Sequence, residues 1–195
     1  MKRVVILGFG SIGSGLLPLL VKHIDARSIT VVGGDNRNVS ISAKYGVSYM
    51  TQPLDQSNYQ IILDRVLSAG DMLVNLSVNV SSQALVEWCH DHDVLYLDTC
   101  IEPWEGYYTD NSLPPEKRSN YSLRQDILDL RTEYRKNSAD PGPTAIMAHG
   151  ANPGLVNHFV KRALINVAQE HKPELLKRMP QRQDQWSDFA RALGL

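Results

Sequence analysis

Apolar and polar positions alternate in a regular way along the first two thirds of the chain. Five short runs of mostly apolar, often β-branched residues predict buried strands, at residues 4–7, 28–32, 47–50, 71–76 and 94–98. Between these runs, apolar residues recur at helical spacing, which predicts helices that begin near residues 12, 40, 59 and 84. Strands that alternate with helices are typical of an α/β protein with a parallel sheet covered by helices on both faces.

The rest of the chain predicts one more strand and three helices. A proline-bearing loop at residues 111–118 precedes a helix whose inward face is formed by Leu123, Ile127, Leu130 and Tyr134. A sharp break at Asp140-Pro141-Gly142-Pro143 and a sixth strand at residues 144–148 follow. Two helices with broad apolar faces, and no evident partners upstream, occupy residues 152–170 and 184–193. We therefore expect a doubly wound sheet in residues 1–148 and the helical beginning of a truncated second domain in residues 149–195.

The first strand leads directly into a glycine-rich turn. Gly8, Gly10 and Gly13 form the G-x-G-x-x-G pattern, with a strand before it and a helical stripe after it. Gly8 permits a tight turn, Gly10 lets the backbone approach a pyrophosphate, and Gly13 lets the helix pack closely on the strand. The helix N-terminus offers free amides to the phosphates, so Ser11 and Ile12 are predicted contacts as well. The pattern predicts a Rossmann-type sheet that binds a dinucleotide.

Ligands of such sheets bind at the carboxyl ends of the strands, so the polar residues there are candidates for a site. Asn75 and Ser77 end and follow the fourth strand and are predicted cofactor contacts. Asp35 lies about 20 positions after the glycine loop, the spacing of an acidic residue that binds a ribose hydroxyl. Two glycines separate it from the second apolar run, so a solvated turn aspartate is an equal alternative. No arginine directly follows that run, which favours NAD over NADP, although Arg37 is a competing signal.

Other residues at this edge have a structural interpretation beside a functional one. Helix capping would account for Asn79 and Ser81, and packing would account for Trp104. Cys100 fits a small buried hydrophobe better than a nucleophile, because no histidine base is near it in the sequence. For His149, loop structure is favoured over acid–base chemistry, although histidine titrates near neutral pH.

Composition and charge exclude several classes of protein. The 195 residues are 43% hydrophobic and 21% charged, with a net charge of −1 and no basic or acidic block. Nothing therefore indicates nucleic acid or a membrane as a partner. No apolar stretch has the length of a membrane span, and the N-terminus lacks a signal-peptide core. Cys89 and Cys100 form neither a metal-binding spacing nor a disulfide framework, so we expect a cytoplasmic protein without a bound metal.

Five segments together resemble bacterial homospermidine synthase, a family similar in fold to the saccharopine dehydrogenases. They are residues 8–13, residues 75–78, Glu102-Pro103-Trp104, residues 118–121 and the Gly-Ala-Asn-Pro-Gly element at residues 150–154. The resemblance extends over essentially the whole chain. It implies a recycled NAD cofactor: a putrescine amine is oxidised to an imine by hydride transfer, and ammonia is lost. A second putrescine then condenses, and the stored hydride reduces the new imine to homospermidine.

The resemblance also implies residues of the substrate site. Glu102 and Asn152 would be its catalytic residues, and a carboxylate beside the aromatic Trp104 suits a dicationic diamine. Asn152 before Pro153 would equally cap a helix. The sequence departs from the family at Asn79, where the family can have an aspartate. Full-length members are implied to be homodimers.

Length is the largest departure, because the family is more than twice as long as this chain. We expect the chain to be the N-terminal part of such an enzyme: a fragment, a truncated gene or one half of a split protein. Alone, it is expected to bind NAD weakly or not at all, to make no homospermidine and to self-associate through Phe159, Leu164 and Phe189.

Two other functions stay open. One is a saccharopine dehydrogenase-like NAD(P)-dependent oxidoreductase with an amino-acid-derived substrate, and the other is a nucleotide-binding module without activity of its own. Basic residues placed for carboxylates would favour the oxidoreductase, whereas the Glu-Pro-Trp segment indicates a cationic ligand.

Overall fold

The computed structural model describes residues 2–137 and 142–195, which divide into two compact units at the peptide bond between Ala148 and His149. The first unit contains a six-stranded sheet in the order β3-β2-β1-β4-β5-β6, in which every neighbouring pair is parallel. The strands are β1 (Val4–Leu7), β2 (Ile29–Gly33), β3 (Ser48–Thr51), β4 (Met72–Asn75), β5 (Leu95–Asp98) and β6 (Ala145–Ile146). The predicted α/β class with a doubly wound parallel sheet is confirmed.

The chain reverses its direction of travel across the sheet between β1 and β4. From β1 it adds β2 and β3 on one side, and it then returns to add β4, β5 and β6 on the other. The connecting helices are α1 (Ser11–Leu20), α2 (Val39–Lys44), α3 (Tyr59–Val66), α4 (Ser82–Asp91) and α5 (Asn120–Asn137). In sheets of this kind the crevice at the reversal point, outside the carboxyl ends of the strands, is where ligands bind.

The apolar runs form strands because the sheet has a core on each face. Val4 and Ile6 pack in one cluster with Leu17 of α1, whereas Val5 and Leu7 pack in the other with Leu85 of α4. Side chains alternate between the two faces of a strand, so a strand covered on both faces needs apolar residues at every position. All four residues of β1 are accordingly buried.

Helix α5 has the predicted inward face, and the strand after it is shorter than predicted. Leu123, Ile127, Leu130 and Tyr134 are the half-buried apolar positions along α5. The break predicted at Asp140 and Pro141 lies outside the described residues. Strand β6 has two residues instead of the predicted five, because it pairs only with β5 and Ala148 has left-handed backbone, with φ of 52°.

The second unit is helical and contains α6 (Leu155–His171) and α7 (Gln185–Leu193), which contact each other. The prediction that both helices lack partners is wrong for α7, because Phe189 is buried and Ala168 of α6 is fully enclosed. On α6, in contrast, the side chains of Phe159 and Val160 are 63% and 54% exposed. Among the described residues, no helix is both long and apolar enough to cross a membrane.

Candidate functional site

The glycine turn after β1 is shaped by contacts that leave no space for side chains at two of its positions. Gly8 has left-handed backbone, and a Cβ there would lie 2.6 Å from the amide nitrogen of Ser77. A Cβ on Gly13 would lie 2.7 Å from the carbonyl oxygen of Gly8. At Gly10, in contrast, a Cβ would meet nothing within 4 Å. The turn is therefore tight against the protein at Gly8 and Gly13 and open at Gly10, as a backbone cradle for a phosphate requires.

Helix α1 directs its N-terminus into this turn. Gly10 is the N-cap and provides no side-chain hydrogen bond. Ser11, Ile12 and Gly13 are in the first turn, where a helix has no carbonyl acceptor for its amides. These amides and the positive end of the helix dipole form an anion-binding position of the kind that holds the pyrophosphate of dinucleotides. All five glycine-loop residues predicted from the sequence are thus brought together.

Asp35 lies two positions beyond the end of β2, beside the glycine turn. Its carboxylate accepts hydrogen bonds from the amide (2.9 Å) and Nε (2.9 Å) of Arg37, with an ion pair at 2.6 Å. These bonds hold the pKa of Asp35 below its ordinary value. The loop is fixed in place because Asn38 Nδ2 donates to the Phe9 carbonyl (2.7 Å) and the Tyr49 hydroxyl donates to the Asp35 carbonyl (2.6 Å). The carboxylate therefore forms a local turn with Arg37, at the carboxyl end of β2.

Asn75 and Ser77 are in contact at the carboxyl end of β4. Asn75 Oδ1 accepts hydrogen bonds from the amide (3.1 Å) and hydroxyl (2.5 Å) of Ser77. The amide nitrogen of Ser77 lies directly behind Gly8, so this loop forms the wall of the glycine turn. The two predicted residues therefore lie at the reversal point of the sheet, next to the glycine loop.

A buried polar network continues from Asn75 across the sheet edge. Asn75 Nδ2 donates to the Tyr96 hydroxyl oxygen (3.2 Å), and that hydroxyl donates to Asp98 Oδ2 (2.9 Å). The amide of Ala148 donates to Asp98 Oδ1 (2.5 Å). Burial raises the pKa of Asp98, and these hydrogen bonds together with one from Ser82 oppose the rise. The nearby charge of Glu102 also raises it.

Glu102 follows β5 and is held by its backbone. Its amide donates to Ser82 Oγ (3.0 Å), and its carbonyl accepts from the Ser82 amide (2.8 Å). Its side chain is half-buried and has no ion-pair partner among the described residues. The Glu102 carboxylate also contributes, after burial, to raising the pKa values of Cys100 and Tyr108, so all three groups lie close together. This is an acidic position without a cation.

The surroundings of Cys100 favour the thiol over the thiolate. Burial, the negative charge of Glu102 and a hydrogen bond with that carboxylate all raise the pKa of its thiol. A reactive cysteine requires the opposite shift, towards the thiolate. The structural interpretation of Cys100 made from the sequence therefore agrees with its surroundings, although its side chain is only partly buried.

The structural roles expected at this edge are found for two of three residues. Ser81 caps α4, because its hydroxyl accepts a hydrogen bond from the Ala84 amide (3.2 Å). The ring of Trp104 packs against Tyr59, with centroids 5.3 Å apart. Asn79 is not a cap: it is exposed and has left-handed backbone, with φ of 61°, which asparagine tolerates better than most residues.

Asn152 lies in the second unit, in a loop that closes on itself. The amide of Gly150 donates to the Pro153 carbonyl (2.9 Å), and the amide of Leu155 donates to the Gly150 carbonyl (2.8 Å). Helix α6 therefore begins at Leu155 with Gly154 as its N-cap, and the prediction that Asn152 caps it is wrong. The Asn152 side chain has no hydrogen-bonding partner among the described residues.

His149 is exposed and makes an edge contact with the ring of His158, at 5.7 Å between centroids. Within residues 2–137 and 142–195, no group of three or more His, Cys, Asp or Glu side chains is placed to hold a metal.

Sequence reasoning missed the parts of the site that depend on pairing between strands. The sequence places Asp98 at the polar end of the fifth strand but assigns no role to it, to Tyr96 or to Asn38. An aspartate at the end of an otherwise apolar strand is the one signal that could have identified Asp98, since a buried carboxylate needs hydrogen-bond donors. The donors come from Tyr96 and from Ala148, 50 positions along the chain.

Comparisons with known proteins identify the family of the chain. The family model described as the saccharopine dehydrogenase NADP binding domain matches residues 4–146. The chain is 37% identical to homospermidine synthase of Blastochloris viridis and 33% identical to that of Mesorhizobium japonicum strain LMG 29417. Each match covers 98% of this chain and 40% of the relative, so the chain spans about two fifths of the length of these relatives.

Solved structures give the same result. Homospermidine synthase of Legionella pneumophila, crystallised in complex with NAD, matches with a TM-score of 0.78 and 32% identity over 98% of this chain and 38% of its own length. Saccharopine dehydrogenase of Saccharomyces cerevisiae matches with a TM-score of 0.59 and 18% identity over 87% of this chain and 32% of its own, which shows a shared fold. The resemblance to homospermidine synthase drawn from the sequence is confirmed. The chain belongs to the saccharopine dehydrogenase NADP-binding domain family.

Proposed function

We propose that this chain forms the NAD-binding part of a homospermidine synthase-type enzyme that acts on a diamine such as putrescine. The observation that carries the proposal is the glycine turn, which is tight at Gly8 and Gly13 and open at Gly10, at the reversal point of the sheet. Similarity to homospermidine synthases, one of them crystallised with NAD, supports it. Because the chain spans about 40% of the length of these relatives, the activity of the whole enzyme is part of the proposal.

The residues of the first unit fit a dinucleotide. The amides of Ser11, Ile12 and Gly13 would bind the pyrophosphate, and Asp35 would accept a hydrogen bond from a ribose hydroxyl. Asn75 and Ser77 would line the crevice at the end of β4. When bound, NAD would accept a hydride from the diamine and later return it to the imine that becomes the product.

Glu102 would bind the alkylammonium end of the diamine. Its carboxylate is half-buried and lacks a cationic partner among the described residues, so an ammonium group would gain a charge-assisted hydrogen bond. The overall reaction balances: one putrescine amine loses a hydride and a proton to give an imine, and the second amine displaces ammonia. Return of the hydride with a proton gives homospermidine. Asn152 would hold an amine or imine nitrogen through its side-chain amide, whose oxygen accepts from an amine and whose NH₂ group donates to an imine.

A chimera tests the diamine proposal. The 195 residues replace the matching segment of the Blastochloris viridis homospermidine synthase, and kcat/KM for putrescine is measured. Glu102→Gln should lower kcat/KM by about tenfold to a hundredfold, since a hydrogen bond to a charged group contributes about 1.5–3 kcal/mol. Glu105→Gln, at an exposed position of the same loop, is the matched control. Equal values for Glu102→Gln and Glu105→Gln would show that Glu102 does not bind substrate.

We expect no catalytic turnover from the 195 residues when the unmatched part of the homospermidine synthases is not supplied. Hydride transfer requires donor and acceptor carbons in near-attack geometry, and a misplacement of about 1 Å can cost a hundredfold in rate. We expect weak NAD binding and no homospermidine when the purified chain is incubated with putrescine and NAD. Sustained turnover by a monomer would contradict the proposal that further residues complete the substrate site.

A further inference from the structure

The network at the carboxyl edge of β4 and β5 has a single direction. Asn75 Oδ1 receives two hydrogen bonds from Ser77, so the amide nitrogen of Asn75 must face Tyr96. The Tyr96 oxygen thus accepts a hydrogen bond from Asn75, and the Tyr96 hydroxyl donates one to Asp98. Asp98 also receives the amide proton of Ala148. Every hydrogen bond of this network is donated in the direction of Asp98, which is the terminal acceptor of the network.

Because these groups are buried, the direction of the hydrogen bonds between them affects the stability of the site. Asp98 is 0% exposed, Tyr96 1% and Asn75 2%, so water cannot replace a lost partner. An unsatisfied buried donor costs more than a typical hydrogen bond contributes. An asparagine at position 98 would keep one acceptor oxygen, which could serve the Tyr96 hydroxyl or the Ala148 amide but not both.

The far end of the network touches the predicted cofactor site. Ser77, which is held by Asn75, places its amide nitrogen against Gly8, where a Cβ would lie only 2.6 Å away. If the Asn75 amide rotated, its NH₂ group would face the Ser77 amide, and both groups are donors. Ser77, which forms the wall of the glycine turn, would then be displaced. The orientation of one side chain therefore controls the shape of that wall.

We propose that Asp98 is a positioning residue of the dinucleotide site: acting through Tyr96, it orients the Asn75 amide and so holds Ser77 against the glycine turn. The dinucleotide half of this inference rests on the function proposed above. Asp98 itself is enclosed and contacts Tyr96, Ser82 and the Ala148 amide, with Glu102 as the charged neighbour. It acts by fixing donors and acceptors, and it does not touch the cofactor.

The test uses the 195-residue chain and two variants that interrupt the network at different points. Asp98→Asn exchanges one of the two acceptor oxygens for an NH₂ donor, so that Tyr96 and Ala148 can no longer both donate to it, and Tyr96→Phe removes the hydroxyl while it keeps the ring. Asp93→Asn makes the same chemical change at an exposed turn position and serves as the control. The readouts are the ¹H–¹⁵N resonances of the Asn75 side chain and of the Ser77 and Ala148 amides in the 195-residue chain, together with titration by NAD of the chimera that carries each variant.

Both network variants should shift the Asn75 and Ser77 resonances, but only Asp98→Asn should remove the hydrogen bond that shifts the Ala148 amide downfield. NAD affinity should fall by about tenfold in each, and no further in the double variant, because both act through one chain of hydrogen bonds. Unchanged Asn75 and Ser77 resonances in a folded Tyr96→Phe variant would overturn the inference, even if Asp98→Asn failed to fold. If the unmodified chimera does not bind NAD, the proposed function fails, while the resonances still decide whether Asp98 orients Asn75.

Discussion

The carbonyl oxygen of Gly8 lies where a side chain on Gly13 would have to be, 2.7 Å from the ideal Cβ position. Gly13→Ala should therefore destabilise the first unit by about 1–3 kcal/mol, as overpacking does in tight sites. Gly15→Ala in the same helix has open space and should be stabilising by about 0.5–1 kcal/mol, because glycine is unfavourable inside a helix. Urea unfolding of both variants measures the difference. Equal stability would show that α1 moves freely away from the turn.

Gly10 should separate binding from stability. A side chain there meets no protein atom, so Gly10→Leu should lower the free energy of unfolding only by the cost of a poorer N-cap, about 0.5–2 kcal/mol. The same side chain would occupy the space of the pyrophosphate and should abolish binding of both NAD and NADP. Titration of the chimera with each dinucleotide measures this, with Gly15→Leu as the control. Retained binding in Gly10→Leu would contradict the assigned position of the pyrophosphate.

Much of the first unit was predictable because its signals are local. Val4–Leu7 is buried on both faces, which forces a continuous apolar run, and the glycine spacing reports close approaches within a few residues. Strand bounds shifted by a residue or two: β2, for instance, extends to Gly33, so a single glycine separates it from Asp35. Local patterns carry this much of the fold.

The parts that were not predictable depend on contacts between distant segments. Asp98 acquires its role from Ala148, and the start of α6 is set by Gly150 and Gly154 closing a loop that displaces Asn152 from the cap position. An Asn-Pro pair alone favours capping, and tertiary hydrogen bonds overrode that preference. Phe189 likewise finds its partners only through the pairing of two helices.

The ion pair between Asp35 and Arg37 should determine dinucleotide preference. Arg37 is held by Asp35, so its guanidinium is engaged and a 2′-phosphate would meet the carboxylate. Asp35→Ser should release Arg37 and shift the ratio of NADP to NAD affinity towards NADP by about tenfold to a hundredfold. Titration of the chimera with both dinucleotides measures the ratio.

A control for this variant lies at the opposite end of the same strand. Asp25 forms the same local pair with Arg27, with an ion-pair distance of 2.7 Å, just before β2. Asp25→Ser should leave the NADP-to-NAD ratio unchanged, because it lies at the amino end of the sheet. A double variant, Asp35→Ser with Arg37→Ala, should lose the gained NADP affinity. Tighter binding of NADP than NAD by the unmodified chimera would contradict the assignment of Asp35 to the ribose.

Burial of Asp98 should appear in the pH dependence of stability. Its pKa is raised above the ordinary 3.8 in the folded chain, so the folded state binds this proton more tightly than the unfolded state. The associated stability is fully present below the unfolded pKa and is lost as the pH rises through the folded pKa. The Asp98→Asn variant has no titratable group at position 98. The free energy of unfolding of the unmodified chain minus that of Asp98→Asn should therefore fall as the pH rises from below the ordinary pKa of aspartate through the raised pKa of the folded chain.

Urea unfolding at a series of pH values gives that difference. The carboxylates whose pKa values are lowered contribute to both proteins alike and cancel; they are Asp25, Asp35, Asp55 and Asp110. A difference that is constant, or that grows with pH, would show that hydrogen bonds to Asp98 outweigh its burial.

Exposed apolar residues on α6 should cause the 195-residue chain to self-associate. Leu155 and Phe159 are one helical turn apart and are 45% and 63% exposed, with Val160 beside them. Clustered apolar surface of this kind is typical of an interaction site, and in the isolated chain a second copy is the available partner. Phe159→Ser should shift the mass measured by light scattering towards the monomer. Leu195→Ser, at a more exposed but isolated position, should not.

Burial changes the expectation that Leu164 and Phe189 take part in self-association. Leu164 is half-buried and Phe189 is buried, so neither can contribute a comparable contact between copies. Phe189→Ser should instead destabilise the second unit by about 3–5 kcal/mol through the cavity that it leaves. A chain that stays monomeric at high concentration would contradict the self-association prediction. A Phe159→Ser variant that associates as strongly as the unmodified chain would show that α6 does not form the contact between copies.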